Sequence, residues 1–412
     1  MDARVEPAHD AECEAMTSSL RDFIQGPWRA VPVLGVTQIL SWGSIFYTPV
    51  LIVPLIAAER SWSMAFTMGG FSVGLLTAGL VSPLVGRSID RFGGHVTMTF
   101  GSLIGALGLL LIVHAENPIA YYAVWMVLGV AMAANLYDSA FATLGRIFGA
   151  AARRPITALT LAGGFASTVS WPVTYLLIEC VGWRGAYMVY AGLLACVSAP
   201  LHALALPRGR AEIEVPKQGE TKAPMKVLPP TGLAFVLVAS AFATYAFVPS
   251  GLSAHLLAIF ARSGIDAGTV VMIGALFGPA QVGARLIEFS FGRDVHPLWV
   301  ARGALAALLC AFVMLFMFGI SAPVAAAFAL MFGGANGLVT ITRGAVPLTL
   351  FGASGYGRLI GRLAGPFLLV QAAAPLVMAF VVERVSDGVA LGLAAAFAAT
   401  ALVCFVAIRR PV

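Results

Sequence analysis

Arg285, Gln281 and Asp138 are the residues from which a chemistry can be read. Arg285 stands four positions after Gln281 and about seven before Gly292, inside an apolar run and roughly 10 Å from its end at 1.5 Å per residue. An ionised group at such depth costs about 2.5 to 3.5 kcal/mol at the centre of a membrane helix, so it is expected to face protein or a water-filled cavity. Its planar fork suits a carboxylate held by two parallel hydrogen bonds. Snorkelling to lipid headgroups and pairing with Glu288, one turn on, are the competing readings. Asp138, about eight residues before Arg146, lies at a similar depth and would bind and release a proton if desolvated. A static salt bridge to an arginine on another helix would account for it equally. His255 offers an imidazole as a second proton or substrate group, or is simply a hydrogen-bonded helix residue. Asn336, Arg343, Tyr137 and Tyr47 are further cavity candidates, with packing the rival role for the two tyrosines.

The elements that must hold these residues are set by composition. The chain has 412 residues, 59% hydrophobic and 11% charged, with mean hydropathy +0.91. A soluble domain is nearer a quarter charged, so this is the composition of an integral membrane protein. The net charge of +6 therefore does not point to nucleic acid; what matters is which loops carry the basic residues. Cys13, Cys180, Cys196, Cys310 and Cys404 form no CxxC pair and are read as small core-filling residues. The first 29 residues are polar and acidic, unlike a secretory signal, so the first apolar run is expected to remain as a helix.

Twelve apolar runs are long enough to cross a hydrocarbon core of roughly 30 Å. They are Ala30–Ala57, Met64–Val85, Val96–His114, Pro118–Leu144, Ile156–Cys180, Ala186–Leu206, Thr231–Ile259, Gly268–Phe289, Leu298–Ile320, Ala322–Thr349, Tyr356–Val382 and Gly388–Ile408. The expected organisation is a cytoplasmic tail (1–29), a six-helix bundle (30–206), a charged linker (207–230), a second six-helix bundle (231–408) and a short tail (409–412). When each of the 25 Lys and Arg residues is assigned to a face, all but Arg60, Arg184, Arg262 and Arg384 fall on the side of the N-terminus. The positive-inside rule makes both termini cytoplasmic. A faint repeat supports two related halves: Ala134-Asn135 precedes Phe148-Gly149 in the fourth run, and Ala335-Asn336 precedes Phe351-Gly352 in the tenth.

Between the second and third runs lies a charged, glycine-rich island, Gly86 to His95. Its glycines permit a tight turn or a close helix approach. Asp90 and Arg91 would pair with helix ends or neighbouring basic loops, and a solvated turn that merely fixes topology is the alternative. Gly86, Asp90, Arg91 and Gly93 resemble the Gly-x-x-x-Asp-Arg-x-Gly loop of the major facilitator superfamily. Twelve runs, a long central linker and Gly182-Trp183-Arg184 fit the same family. Gln281-x-x-x-Arg285, Trp42-Gly43-Ser44 and Leu252-Ser253-Ala254-His255-Leu256 further resemble the bacterial, oxalate/formate antiporter-like members of its monocarboxylate transporter branch, with Gln281 standing where that branch often has Asp.

The resemblance implies an all-α integral membrane protein of two pseudo-symmetric six-helix bundles in a bacterial inner membrane. It implies secondary transport of a small organic anion, a monocarboxylate, with protons, in which Arg285 anchors the carboxylate and Asp138 or His255 carries the proton. Gln281, Asn336, Tyr137, Tyr47 and Arg343 would line the site, and Gly86, Asp90, Arg91 and Gly93 would latch the gate. No cofactor, metal or nucleic acid is expected, and a monomer would suffice. The alternative within transport is a proton-driven efflux permease for drugs or metabolites, disfavoured because span five, from Gly163-Gly164-Phe165 to Trp171-Pro172, lacks the Gly-x-x-x-Gly-Pro pattern. The chain has no His-Glu-x-x-His, which disfavours an enzyme. The Gly352-to-Gly357 run lacks a preceding strand and a Lys-Ser/Thr ending, so it is not read as a phosphate loop.

Overall fold

The computed structural model describes residues 26–209, 231–253, 255–292 and 295–408. Most of the expected N-terminal tail with Cys13, the body of the linker and the last four residues lie outside the described residues. All regular elements within the described residues are helical.

In the N-terminal segment, α1 (Ala30–Ser41) passes through a π-helical stretch, Trp42–Tyr47, into α2 (Pro49–Arg60). There follow α3 (Met64–Phe92), α4 (Gly94–His114), α5 (Pro118–Asn135), α6 (Tyr137–Phe148), α7 (Arg153–Gly163) and α8 (Ala166–Leu193). Two further π-helical stretches, Leu194–Ser198 and Leu201–Ala205, end the segment. The C-terminal segment comprises α9 (Leu233–Ser253), α10 (Leu256–Arg262), α11 (Ala267–Ala275), α12 (Phe277–Phe291), α13 (Pro297–Phe318), α14 (Ala322–Phe351), α15 (Tyr356–Arg384) and α16 (Asp387–Ala407).

Helix starts are marked by side chains that satisfy orphan amides. Ser63 accepts from Phe66 N at 3.2 Å, Asn117 from Ala120 N at 2.8 Å and Ser386 from Val389 N at 3.2 Å. Ten helical stretches are long and apolar enough to cross a membrane. One of them, Pro118–Ala205, contains 88 residues, about 130 Å of helix against a hydrocarbon core of roughly 30 Å. It does not run straight, because the backbone leaves helical geometry at Leu136 (φ −80°, ψ −172°), Gly149 (φ 56°) and Gly182 (φ 71°). The outer surface is apolar, with Leu80, Leu204 and Phe291 all more than 70% exposed, as expected of a protein whose solvent is lipid.

Two expectations need correction. The island is not a loop: α3 continues to Phe92 and α4 starts at Gly94, so Gly93 alone makes the turn at φ 90°, a conformation that costs glycine nothing. The cysteines do not fill the core, since Cys180, Cys196 and Cys310 are exposed and Cys404 is half-buried. A thiol behaves as a small apolar group and is equally at home on a helix face turned to lipid.

The two segments meet mainly through α3 and α15. Gly79 faces Gly365, Ser82 faces Gly361 and Gly86 faces Gly357, and a methyl group at position 86 would collide with the Gly357 carbonyl. Small residues at every third or fourth position let the two backbones approach closely, the usual device where lipid supplies no hydrophobic force between helices.

Candidate functional site

A cavity of about 220 Å³ lies between the segments. Trp42, Tyr47, Tyr137 and Asp138 line it from the N-terminal segment; Tyr245, Gln281, Arg285, Asn336 and Arg343 line it from the C-terminal one. Six of these positions follow from local backbone breaks. Trp42 and Tyr47 lie in the first π-helical stretch, a geometry frequent at functional sites. Tyr137 and Asp138 open α6 directly after the extended residue Leu136. Gln281 and Arg285 occupy one face of α12, just after the helix restarts at Phe277.

Arg285 is only 3% exposed. Its guanidinium donates to the Thr160 carbonyl at 2.8 Å, to Gln281 Oε1 at 3.4 Å and, through Nε, to the Gly337 carbonyl at 3.4 Å. These acceptors are all neutral, and among the described residues Arg285 makes no ion pair. The reading that paired it with Glu288 is overturned: Glu288 bonds Arg153 at 2.9 Å and Thr157 at 3.1 Å. Glycine at 163 leaves room for the Tyr137 hydroxyl, and glycine at 164 leaves room for the Arg285 guanidinium. A side chain at either position would intrude on the site.

Arg343 is the second cavity arginine. It bonds Asp138 at 2.5 Å across the interface of the two segments and lies over the Phe367 ring, 3.5 Å from its centroid. A guanidinium between a carboxylate and an aromatic face is held by both charge and ring quadrupole. Asp138 is thus brought to Arg343 and not to Arg285. Asn336 Oδ1 accepts from the Tyr245 hydroxyl at 2.6 Å. Tyr137 stacks on Phe141 and tilts against Trp42 at 5.0 Å. His255 is not brought to this group: it precedes α10 and does not line the cavity.

Toward the face that carries Gly93, Gly149 and Gly352, the basic face, two clusters of bonds involve residues of both segments. In the first, the Asp90 carboxylate accepts from the backbone amides of Gly357 at 2.9 Å and Arg358 at 2.8 Å. These are the second and third residues of α15, so Asp90 does from another helix what an N-cap residue does locally, while the true cap, Gly355, has no side chain to offer. Arg146 donates to the Ile89 carbonyl at 2.7 Å and to that of Asp90. Arg91 takes no part; it is exposed, over the Phe92 ring. In the second cluster, Arg153 bonds Glu288 and the carbonyls of Gly292 and Val295, both at 2.7 Å. On the opposite face the ion pairs Glu59–Arg184 and Arg262–Asp387 each stay within one segment. Among the described residues, no side-chain hydrogen bond joins the segments there.

Sequence reasoning missed Tyr245, Phe367 and Arg153, which lie in ordinary helical contexts and gain their roles only from the packing. Trp42 was legible solely as part of a resemblance. The site is a small chamber with two guanidinium groups, one carboxylate and several neutral hydrogen-bonding groups. A chamber so lined has the charge and donors to hold a small anion.

Comparison with known proteins agrees with this architecture. The Major Facilitator Superfamily model matches residues 34–361. Monocarboxylate transporter 6 of Homo sapiens is 29% identical over 183 residues, 41% of this chain and 34% of its own length. Its counterpart from Mus musculus is 28% identical over 141 residues, 33% and 29% of the two chains. Monocarboxylate transporter 3 of Rattus norvegicus is 36% identical over 116 residues, 27% and 23%. The chain therefore spans about a third or less of the length of these curated relatives. Among solved structures, the human organic anion transporter MFSD10 (TETRAN) superposes with TM-score 0.69 at 17% identity, covering 92% of this chain and 99% of that one. The transporter FucP, in an outward conformation, gives TM-score 0.67 at 11% identity over 91% and 97%. At these identities the likeness concerns the fold alone. With the match over residues 34–361 and the whole-chain superpositions, this chain belongs to the Major Facilitator Superfamily.

Proposed function

We propose that the protein is a secondary transporter that moves a small organic monocarboxylate together with a proton by alternating access. The observation that carries the reading is Arg285, buried in a cavity shared by both segments and bonded only to neutral acceptors. A buried cation without a counter-ion is costly, and a solute carboxylate supplies the missing charge in the bidentate geometry that a guanidinium favours. Asp138, paired with Arg343 across the interface, is the proton carrier: protonation removes its charge and loosens the link between segments. Gln281, Asn336 and Tyr137 orient the solute. Asp90 and Glu288, with their partners, form the gate on the basic face, which is the cytoplasmic one, so the structure corresponds to a state closed toward the cytoplasm. The 88-residue stretch, divided at Gly149 and Gly182, completes twelve crossings in two sets of six, with both termini cytoplasmic.

The test is uptake by purified protein in liposomes across a panel of mono- and dicarboxylates, with and without an imposed pH gradient. A monocarboxylate is expected to accumulate when the proton gradient is directed inward. Arg285→Ala is expected to lower this roughly 10- to 100-fold, and Asp138→Asn to remove its dependence on the gradient. Uptake by Arg285→Ala equal to wild type would overturn the anchor.

A further inference from the structure

A second group of buried polar residues lies inside the N-terminal segment, away from the cavity lining. His202 is fully buried in the last π-helical stretch. Its Nε2 is 2.9 Å from Thr37 Oγ1 on α1, and its Nδ1 is 3.1 Å from Ser102 Oγ on α4. The Ser102 hydroxyl is also 3.3 Å from Asn135 Oδ1 and 3.0 Å from the Met98 carbonyl. Asn135, likewise fully buried, is the last residue of α5, immediately before the extended Leu136 and the cavity residues Tyr137 and Asp138. Its carbonyl accepts from Gln38 Nε2 at 2.5 Å, and Gln38 Oε1 accepts from the indole of Trp42 at 3.0 Å. The break in the fourth span is thus tied on one side to His202 and on the other to the cavity wall.

Proton counting shows what this arrangement does. A neutral imidazole has one N–H, so one of the two neighbouring hydroxyls must donate to the ring. With the proton on Nε2, Ser102 gives its hydrogen to Nδ1 and cannot give it to Asn135. The other tautomer places the same demand on Thr37, which must then leave the Leu34 carbonyl, 3.2 Å away. An imidazolium donates from both nitrogens and releases both hydroxyls. Ser102 is then free to hold Asn135 while Thr37 keeps Leu34.

We propose that His202 is a proton-responsive positioning residue that sets the hinge at Asn135–Leu136, and through it the placement of Tyr137 and Asp138. Two independent features fit this role. Ser41 Oγ, Ser198 Oγ and Asn135 Nδ2 are buried without a hydrogen-bond partner among the described residues. Ser41 and Ser198 stand one turn from Thr37 and His202, so polar groups are at hand when the network turns over. His202, Ser198 and Trp42 all lie in π-helical stretches, which recur at functional sites. The surrounding helices add no competing charge. The α1 sequence has no ionisable residue, α4 has only His95 and His114 at its ends, and the stretch 194–205 adds only the exposed Cys196. Asp138, beyond the hinge, is occupied by Arg343.

The experiment is hydrogen exchange read by mass spectrometry on the purified full chain in lipid nanodiscs, at about pH 3.5 and about pH 8, a window that extends to the acid side, where a fully buried imidazole takes up its proton. After correction for intrinsic exchange rates, amides of residues 133–140 in the wild type are expected to differ in protection by about fivefold, the worth of one neutral hydrogen bond. His202→Gln is expected to remove the difference, and Asp138→Asn to keep it. Ser102→Ala, which leaves His202 beside Thr37, is expected to remove it too and serves if His202→Gln does not fold. A pH response that persists in both His202→Gln and Ser102→Ala, or that is lost only in Asp138→Asn, would overturn the proposal. No solute enters the measurement, so its failure is distinct from failure of the transport reading.

Discussion

Arg285 on α12 and Arg343 on α14 present the same guanidinium to the same cavity, yet the protein treats them oppositely. Arg343 receives a carboxylate from the other segment and an aromatic ring beneath it. Arg285, the more deeply buried of the two, receives two carbonyls and an amide oxygen. The difference separates a cation whose charge is balanced within the fold from one bonded only to neutral groups, the one that the proposed transport reading assigns to a solute carboxylate. Removing the first should injure the protein, and removing the second should injure its work.

The sharpest way to break this comparison is Arg343→Ala. It strands Asp138 as a buried, unpaired charge and is expected to cost about 3–5 kcal/mol of stability, measured as thermal unfolding in detergent. The double variant with Asp138→Asn should recover much of the loss. A single variant that melts like the wild type would show that the pair contributes nothing. Next in size, if Arg285 anchors the solute as proposed, Arg285→Ala forfeits charge-assisted hydrogen bonds worth about 1.5–3 kcal/mol, roughly a 10- to 100-fold fall in uptake, with little change in melting. Equal destabilisation of the two alanine variants would collapse the distinction. Glu288→Gln, which keeps a hydrogen-bonding side chain for Arg153 and Thr157 while losing the charge, should cost about 1 kcal/mol. Least of all, Arg262→Ala breaks an exposed pair with Asp387 and should shift stability by less than about 1 kcal/mol. These last two test whether burial, and not the presence of an ion pair as such, sets the scale.

Arg285 was legible in the sequence because a charge seven residues inside an apolar run has few physical outlets, and Gln281 because it lies on the same helix face. The partner of Asp138 was not, since Arg343 is 205 positions away and nothing local selects it from the other arginines. Tyr245 and Asn336 meet only because α9 packs near α14. The helices themselves were visible as apolar runs, but their interruptions were not: the break at Leu136 carries no proline or glycine to announce it, and Gly43, in the π-helical stretch Trp42–Tyr47, is one of many glycines in the apolar runs. His202 was passed over for the same reason, as a single histidine in an apolar run whose hydroxyl partners come from two other helices.

The Asp90 clasp has a further consequence. One of its two jaws is main chain, so replacing the side chain at 358 leaves the donor in place, and natural drift there would go unnoticed by the carboxylate. Proline is the exception, since it alone lacks the N–H. Such a clasp is exacting at Asp90, at the glycine at 86 and at Gly357, where a side chain would run into the Asp90 carboxylate and the Gly86 carbonyl, while the side chain of Arg358 is left free to serve another purpose.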